Sequence, residues 1–185
     1  NAAGWTAIFA AAALVAAATA GAHAQPSRSL AQIDWSAAER DAAPQQAFLQ
    51  PVNTGFEAVS TVSVPVLLPE NLDGAAVEAG GPPGCRFFAR NTSYSATFEM
   101  DGALVEVTGS RLVQAVLDDL VTQPGSDGYN WTETAFGQQL SFTRYGAGYS
   151  VIVTCSEPAA NPPCRDRAFV MGVARSLRVA GGRRD

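Results

Sequence analysis

The chain has 185 residues, and its 17 acidic side chains outnumber its 12 basic ones, so the net charge is −5. Every basic residue is Arg, which excludes a Schiff base, a Walker phosphate loop and a Ser–Lys dyad, because all three require Lys. An acidic surface also argues against nucleic acid and anionic lipid as partners, since phosphate binding requires clustered positive charge.

The N-terminal region has the features of an export signal. An Ala-rich apolar run over residues 7–21 ends in a small–x–small triplet at 22–24, which is typical of a signal peptide cleaved before Gln25. The run is short for a membrane span, and a buried Ala-rich helix is the alternative. We therefore expect residues 1–24 to be a signal peptide, and the protein to be periplasmic or secreted with no membrane span after cleavage.

Cleavage at this site would remove His23, the only histidine of the chain. The mature chain of 161 residues (185 − 24) would then contain neither His nor Lys. Ser–His–Asp and Cys–His nucleophile activation need an imidazole, and so do zinc sites built on His. We therefore expect no catalytic residue, no metal site and no cofactor.

Residues 25–55 are interpreted as an N-terminal arm or linker. Helical spacing of apolar residues permits one short helix near the start, and Pro44 and Pro51 interrupt the rest of the segment. The segment is either a tether or an arm packed on the domain through Trp35. Residues 56–182 then form a single α+β domain, followed by a tail at 183–185.

The domain begins with a strand pattern over residues 59–68. Its apolar residues alternate on one face, and Pro65 predicts an edge strand because it lacks a backbone donor. The alternating residues are Val62, Val64, Val66 and Leu68.

A β-hairpin comes next, centred on Asp101–Gly102. This dipeptide favours a two-residue type I′ turn, since both positions need positive φ. Counting from that turn predicts one apolar face, with the pairs Met100–Ala103, Phe98–Val105 and Ala96–Val107. The other face is polar apart from Leu104, with the pairs Glu99–Leu104, Thr97–Glu106 and Ser95–Thr108.

An amphipathic helix is predicted after the hairpin, with Ser110 as its N-cap. Its apolar residues recur at helical spacing: Val113, Val116, Leu117 and Leu120. A second hairpin is predicted around a three-residue Gly-rich turn at 146–148, and its strand at 149–155 is apolar enough on both faces to be central. A second helix would begin at Asn161–Pro162, bury Phe169, Val170, Val173 and Leu177, and end at 181–182.

These elements predict two successive ββα units. The fold class is then α+β, with an antiparallel sheet of about four to five strands and two helices packed on one face. The segments 105–110 (VEVTGS) and 151–156 (VIVTCS) are similar, through duplication or through chance.

Cys155 and Cys164 bracket a Pro-containing polar loop and are predicted to form a disulfide, which an oxidising compartment allows. Cys85 is interpreted as a buried free thiol; pairing with another chain, or with one of the other two cysteines, is left open.

The stretch 142–182 (FTRYGAGYSVIVTC, Cys164, SLRVAGG) resembles the C-terminal part of uncharacterised exported proteins of GC-rich proteobacteria. Its Tyr–Gly–x–x–Tyr turn, its paired cysteines and its final Gly–Gly carry the resemblance. The resemblance implies an exported location and a fold, and it implies no activity.

Two groups of residues are candidates for function. Aromatic and basic side chains near the second turn form a possible binding surface, and they are Trp131, Arg144, Tyr145 and Tyr149. Glu99 and Glu106 are diagonal neighbours on the polar face of the first hairpin, at a separation that glycosidases use, although solubilising residues fit the same pattern.

The leading hypothesis is a non-enzymatic exported module that binds or scaffolds a protein or glycan of the bacterial envelope. A secreted inhibitor of a hydrolase, presenting the 146–148 turn or the 156–163 loop, is one alternative. A glycan hydrolase using Glu99 and Glu106 is the other.

Overall fold

The structure, a computed structural model, describes residues 28–42, 59–70, 86–114 and 128–184. The predicted signal segment and Cys85 lie outside these ranges. Its strands are β1 (Arg28–Leu30), β2 (Val66–Pro69), β3 (Arg86–Arg90), β4 (Ser93–Met100), β5 (Ala103–Ser110), β6 (Leu112–Gln114), β7 (Tyr129–Thr134), β8 (Gly137–Arg144), β9 (Ala147–Thr154) and β10 (Leu177–Gly181). Its helices are α1 (Trp35–Arg40), a 3-10 turn (Pro162–Cys164) and α2 (Arg167–Ser176).

Most of the strands form one antiparallel sheet in the order β3-β4-β5-β9-β8-β7. Two further antiparallel pairs, β1–β6 and β2–β10, lie outside it. The predicted α+β class with an antiparallel sheet is confirmed. The finer prediction was wrong, because the sheet has six strands and the described residues contain a single helix longer than two turns.

The first hairpin has the register that its turn residues predicted. β4 and β5 pair as counted, from Met100 with Ala103 to Ser95 with Thr108. Asp101 and Gly102 have φ values of 50° and 76°, the left-handed backbone that a type I′ turn requires. The apolar face is buried, and Leu104 on the opposite face is 45% exposed.

The second hairpin was predicted with the wrong turn. Arg144 pairs with Ala147, so Tyr145 and Gly146 form a two-residue turn with φ values of 52° and 83°. A bulky residue rarely adopts positive φ, so the sequence did not indicate Tyr145 at this position. Contacts with residues 28–42 hold the turn, because its Tyr145 carbonyl accepts a hydrogen bond from the Asp34 N–H. The prediction that this hairpin contributes a central strand is confirmed, since β9 pairs with both β5 and β8.

Both predicted helices differ from the structure. Ser110 ends β5 and Leu112–Gln114 form β6, so the first helix does not begin there, and its remaining residues lie outside the described ranges. The second helix begins at Arg167, with the Asp166 carboxylate accepting from the Ala168 N–H, rather than at Asn161.

The second helix also ends earlier than predicted. Leu177 begins β10 and pairs with Pro69, and this long-range pairing overrides the local helical spacing. A strand was predicted over 59–68, but in the structure only residues 66–68 of this range form a strand. That strand is β2, and it continues to Pro69.

The large sheet contains an internal repeat. The meanders β3–β4–β5 and β7–β8–β9 have the same strand and turn boundaries 44 positions apart, except that β7 begins one residue earlier than β3, and Asp101 and Tyr145 occupy equivalent places in their turns. Their last strands pair antiparallel with Val107 opposite Val151, which relates the halves by an approximate two-fold axis. The residues Phe98, Gly102, Ala103 and Val107 recur as Phe142, Gly146, Ala147 and Val151. The similar segments 105–110 and 151–156 are offset by two residues from this alignment, so they are not equivalent positions of the structural repeat.

The core lies on one face of the sheet, under α2 and the β2–β10 pair. Two sheet tyrosines fix β2 in place. The Tyr94 hydroxyl accepts from the Leu67 N–H at 2.8 Å and donates to the Leu67 carbonyl at 3.0 Å, while Tyr149 donates to the Pro65 carbonyl at 2.9 Å.

Residues 28–42 pack on this core. Trp35 contacts it, Ala38 is 1% exposed, and Ala42 bridges to Val179 of β10. Of the helices in the described ranges, none is long and apolar enough to cross a membrane.

Candidate functional site

The four residues predicted to form a binding surface are all engaged within the fold. Tyr149 is 3% exposed, its hydroxyl donates to the Pro65 carbonyl and burial raises its pKa, so its assignment to a surface was wrong. Trp131 is half-buried and donates from Nε1 to Gln138 Oε1 at 2.9 Å. The Arg167 guanidinium lies 5.8 Å from the Trp131 ring. Trp131 therefore closes the edge of the core.

Arg144 and Tyr145 hold neighbouring segments together. Arg144 Nη1 donates to the Leu177 carbonyl at 3.1 Å, and its guanidinium lies 5.3 Å from the Phe142 ring. The Tyr145 hydroxyl donates to Asp41 Oδ2 at 2.6 Å. Burial, followed by the hydrogen bond and the charge of Asp41, raises the pKa of Tyr145 to about 12. These contacts link the second hairpin to β10 and to residues 28–42, and they leave no shared aromatic surface.

The two candidate carboxylates do not share a cavity. Glu106 Oε1 accepts a hydrogen bond from Ser95 Oγ at 2.6 Å on the polar face of the sheet. Glu99 instead lines a depression of about 610 Å³ at the end of the sheet, together with Asp101, Leu104, Thr154 and other residues that do not include Glu106. The pairing of Thr97 with Glu106 keeps Glu99 diagonal to Glu106 on this face, as the sequence predicted, but the depression that Glu99 lines does not include Glu106.

The face of the large sheet that points away from the core, here called the outer face, carries mainly polar side chains together with Leu104 and Ile152. A row of four hydroxyl residues crosses its central strands in register, and it consists of Ser95, Thr108, Ser150 and Ser141. The hydroxyls of Ser141 and Ser150 lie 3.1 Å apart. This hydroxyl row runs between Phe88 on β3, which is 63% exposed, and Asn130 on β7. The alternation of polar and apolar residues in the sequence predicted the polar face of the first hairpin. It did not indicate that the second hairpin pairs with the first and continues the hydroxyl row.

The predicted disulfide is present, with Sγ atoms of Cys155 and Cys164 2.09 Å apart. It closes the loop 156–163, which is held to the first turn where Asn161 Nδ2 donates to the Gly102 carbonyl at 3.0 Å. Arg165 Nη1 also donates to the Ala159 carbonyl at 3.1 Å. These contacts hold the loop against its neighbours, and most of its residues are exposed.

Within the ranges that the structure describes, no group of three His, Cys, Asp or Glu side chains is arranged to hold a metal ion. Comparison with protein-family models, with curated proteins and with solved structures found no match. The surfaces of the described residues are therefore the basis on which a function can be assigned.

Proposed function

We propose that this protein is a non-enzymatic binding or scaffolding module exported to the bacterial envelope, and that it binds its partner through the outer face of the large sheet. The observation that carries the proposal is that α2 and the β2–β10 pair pack against the other face of this sheet. The outer face presents the hydroxyl row and an exposed aromatic ring, which can donate and accept hydrogen bonds and stack.

Binding is tested with the tagged full chain and an extract of a bacterial envelope. Thr108→Arg with Ser150→Arg places two long cationic side chains in the middle of the hydroxyl row without entering the core. Ala159→Arg with Ala160→Arg makes the same change of charge on the exposed loop and is the matched control. We expect a protein or glycan that is captured by the wild type and by the loop variant and lost with the outer-face variant.

Two results would contradict the proposal. One is turnover of a glycan by the purified protein that disappears in Glu99→Gln, because this would make the chain a hydrolase. The other is retention of the whole protein, with residues 1–24 uncleaved, in the cytoplasm. N-terminal sequencing of the exported chain is expected to begin at Gln25.

A second candidate function, inhibition of a secreted hydrolase, is favoured by the disulfide-closed loop 156–163. Rigid projecting loops lose little conformational entropy when they enter an active site. This candidate predicts the opposite result for the same variants, namely that Ala159→Arg with Ala160→Arg abolishes capture of a hydrolase while the outer-face variant retains it.

A further inference from the structure

The edge strand β3 has an unusual pattern of exposure. Its residues alternate between exposed Arg86, Phe88 and Arg90 and half-buried Phe87 and Ala89. Phe87 stacks on Tyr94 at 5.6 Å between ring centroids, which fixes the inner side of the strand. The three exposed side chains therefore line up on the outer face, with an apolar ring between two cations.

The two cations form no ion pair within the described residues, although Glu99 lies diagonal to Arg86 on the same face and Glu106 lies one strand further on. Neither the Arg86 nor the Arg90 guanidinium forms an ion pair or a hydrogen bond with another described residue. The chain as a whole carries a net charge of −5, so two unpaired cations four residues apart are a local exception to its acidity. An anionic partner would neutralise both of them.

The backbone of β3 is also available on one side. In the described part of the chain β3 pairs with β4 alone, and no described strand uses the N–H and carbonyl groups of its other edge, which are the groups that an added strand pairs with. A second copy of this protein is a poor occupant. Antiparallel pairing of two β3 strands about Phe88 places Arg86 opposite Arg90, and parallel pairing opposes identical arginines. Like charges directly opposite each other destabilise a strand pair.

We propose that β3 binds an extended acidic segment of a partner protein by strand addition, with the pattern acidic–x–apolar–x–acidic. Side chains two apart on a strand share a face, so the two acids oppose Arg86 and Arg90 while the apolar residue covers Phe88. This inference rests on the proposed binding function and specifies one partner chemistry for it. The arginines thus disfavour self-association and select an acidic strand at the same edge.

The test measures binding of fluorescent peptides to the full chain by anisotropy. The probe Ser-Thr-Glu-Thr-Val-Thr-Glu-Thr-Ser has the required spacing, and a peptide of the same composition with adjacent acids, Ser-Thr-Thr-Val-Glu-Glu-Thr-Thr-Ser, divides them between the two faces. We expect the spaced peptide to bind about tenfold more tightly, as two cross-strand charge pairs would allow. Equal affinity for the two peptides, or no binding of either at millimolar concentration, would overturn the proposal.

The charge-reversal variant Arg86→Glu with Arg90→Glu makes the prediction specific to this strand. It should lose affinity for the acidic peptide and prefer the peptide in which Lys replaces Glu. Arg40→Glu with Arg175→Glu changes the net charge equally at exposed sites on the two helices, and it should retain the original preference. A partner that is captured from the envelope extract and unaffected by reversal at β3 would refute strand addition while leaving the proposed binding function intact.

Discussion

Gly109 shows how one residue can determine the packing of several elements. It lies on β5 opposite Tyr94 on one side and Tyr149 on the other. A Cβ atom at this position would collide with Tyr94 Cε1 and lie 2.9 Å from Tyr149 Cε1. The Tyr94 hydroxyl bonds to Leu67 of β2 and the Tyr149 hydroxyl to Pro65 just before it, so neither ring can move away without losing a buried hydrogen bond.

We therefore expect Gly109→Ala to lower the free energy of unfolding by about 1–3 kcal/mol, the usual range for overpacking. Gly172→Ala is the matched control, because nothing lies within 4 Å of its Cβ position in α2. Alanine favours a helix over glycine by about 1 kcal/mol, so this variant should be more stable than the wild type. Urea denaturation measures both changes, and equal stabilities for wild type and Gly109→Ala would contradict the packing argument.

The buried tyrosines make stability depend on alkaline pH. Burial raises the pKa of Tyr94 and Tyr149 above its usual value of 10.0, and that of Tyr145 to about 12. As the pH rises above 10, the unfolded chain loses tyrosine protons that the folded chain retains, so the free energy of unfolding falls. Below pH 10 both states are protonated and this contribution to stability is fully present.

Tyr149→Phe tests the sign of this effect. At pH 8 the variant should be less stable than the wild type by about 1 kcal/mol, because it lacks the hydrogen bond to the Pro65 carbonyl. At pH 11 the folded wild type must keep Tyr149 protonated, which costs free energy that the variant does not lose. The difference in free energy of unfolding between the two proteins should therefore shrink or reverse. Chemical denaturation at the two pH values measures it, and an unchanged difference would contradict the assignment.

At the scale of elements, Gln138 joins β7, β8 and the start of α2. It is 0% exposed, and its Nε2 donates to the Pro163 carbonyl at 2.6 Å and to the Asp166 carbonyl at 3.0 Å. Its Oε1 accepts from the Trp131 indole. Nothing in the sequence distinguished Gln138 from its neighbour Gln139, because local alternation does not show which amide finds buried partners.

Gln138→Leu keeps the side-chain size but leaves an indole N–H and two carbonyls without this partner. We expect a loss of about 2–4 kcal/mol in the free energy of unfolding, since each buried unsatisfied group costs about 1–3 kcal/mol. Gln139→Leu, one residue along on the outer face, should change it by less than about 0.5 kcal/mol. Thermal unfolding of the two variants in parallel separates these expectations; similar melting temperatures would show that the buried amide contributes little.

The disulfide loop gives a prediction that also addresses the third cysteine. The bond between Cys155 and Cys164 leaves Cys85 with no intrachain cysteine partner, because the chain contains three cysteines. One thiol per chain should react with Ellman's reagent in denaturant, and three after reduction. Replacing Cys155 and Cys164 with Ser should lower the free energy of unfolding by about 2–3 kcal/mol in the chain-entropy model. A denatured chain with no free thiol would instead show that Cys85 is paired with another chain.

Across these elements, the accuracy of the sequence predictions followed the range of the interactions involved. Asp101–Gly102 specifies its turn locally, so the register of the first hairpin was predicted pair by pair. Tyr145 adopts the equivalent backbone because residues 28–42 hold it, and no local pattern around Tyr145 indicates this contact. Leu177 continues a helical spacing but pairs with Pro69, 108 positions earlier (177 − 69), so its strand could not be inferred from its neighbours.

At the scale of the whole molecule, the two meanders build a sheet wider than either half. Each supplies three strands, and the pairing of Val107 with Val151 joins them into six. The halves have diverged on the outer face, where Arg86, Phe88 and Arg90 of β3 correspond to Asn130, Thr132 and Thr134 of β7. The sheet is therefore nearly symmetric in backbone and asymmetric in chemistry, since its two edges present different side chains.

Residues 28–42 pack on the core, and Trp35 is one of the residues of that segment in contact with it. The tryptophan is half-buried against the core, and the Cβ position of Gly182 lies 2.9 Å from its Cη2 atom. We expect Trp35→Ala to lower the free energy of unfolding by about 2 kcal/mol, less than for a fully buried tryptophan. Phe136→Ala is the matched control, since this aromatic residue is 67% exposed on the β7–β8 turn and should change stability little.

Limited proteolysis locates the effect of Trp35→Ala within the molecule. Trypsin cleaves this chain at Arg alone because it contains no Lys, and Arg40 ends the helix that Trp35 begins. Local opening of a segment exposes its peptide bonds without unfolding the remaining sheet. In Trp35→Ala we therefore expect cleavage after Arg40 to accelerate several-fold while the fragment that contains the large sheet persists, as intact-mass spectrometry over a time course would show. Cleavage after Arg40 at the wild-type rate would mean that residues 28–42 are held to the sheet by the β1–β6 pair and the Asp41–Tyr145 hydrogen bond without the tryptophan.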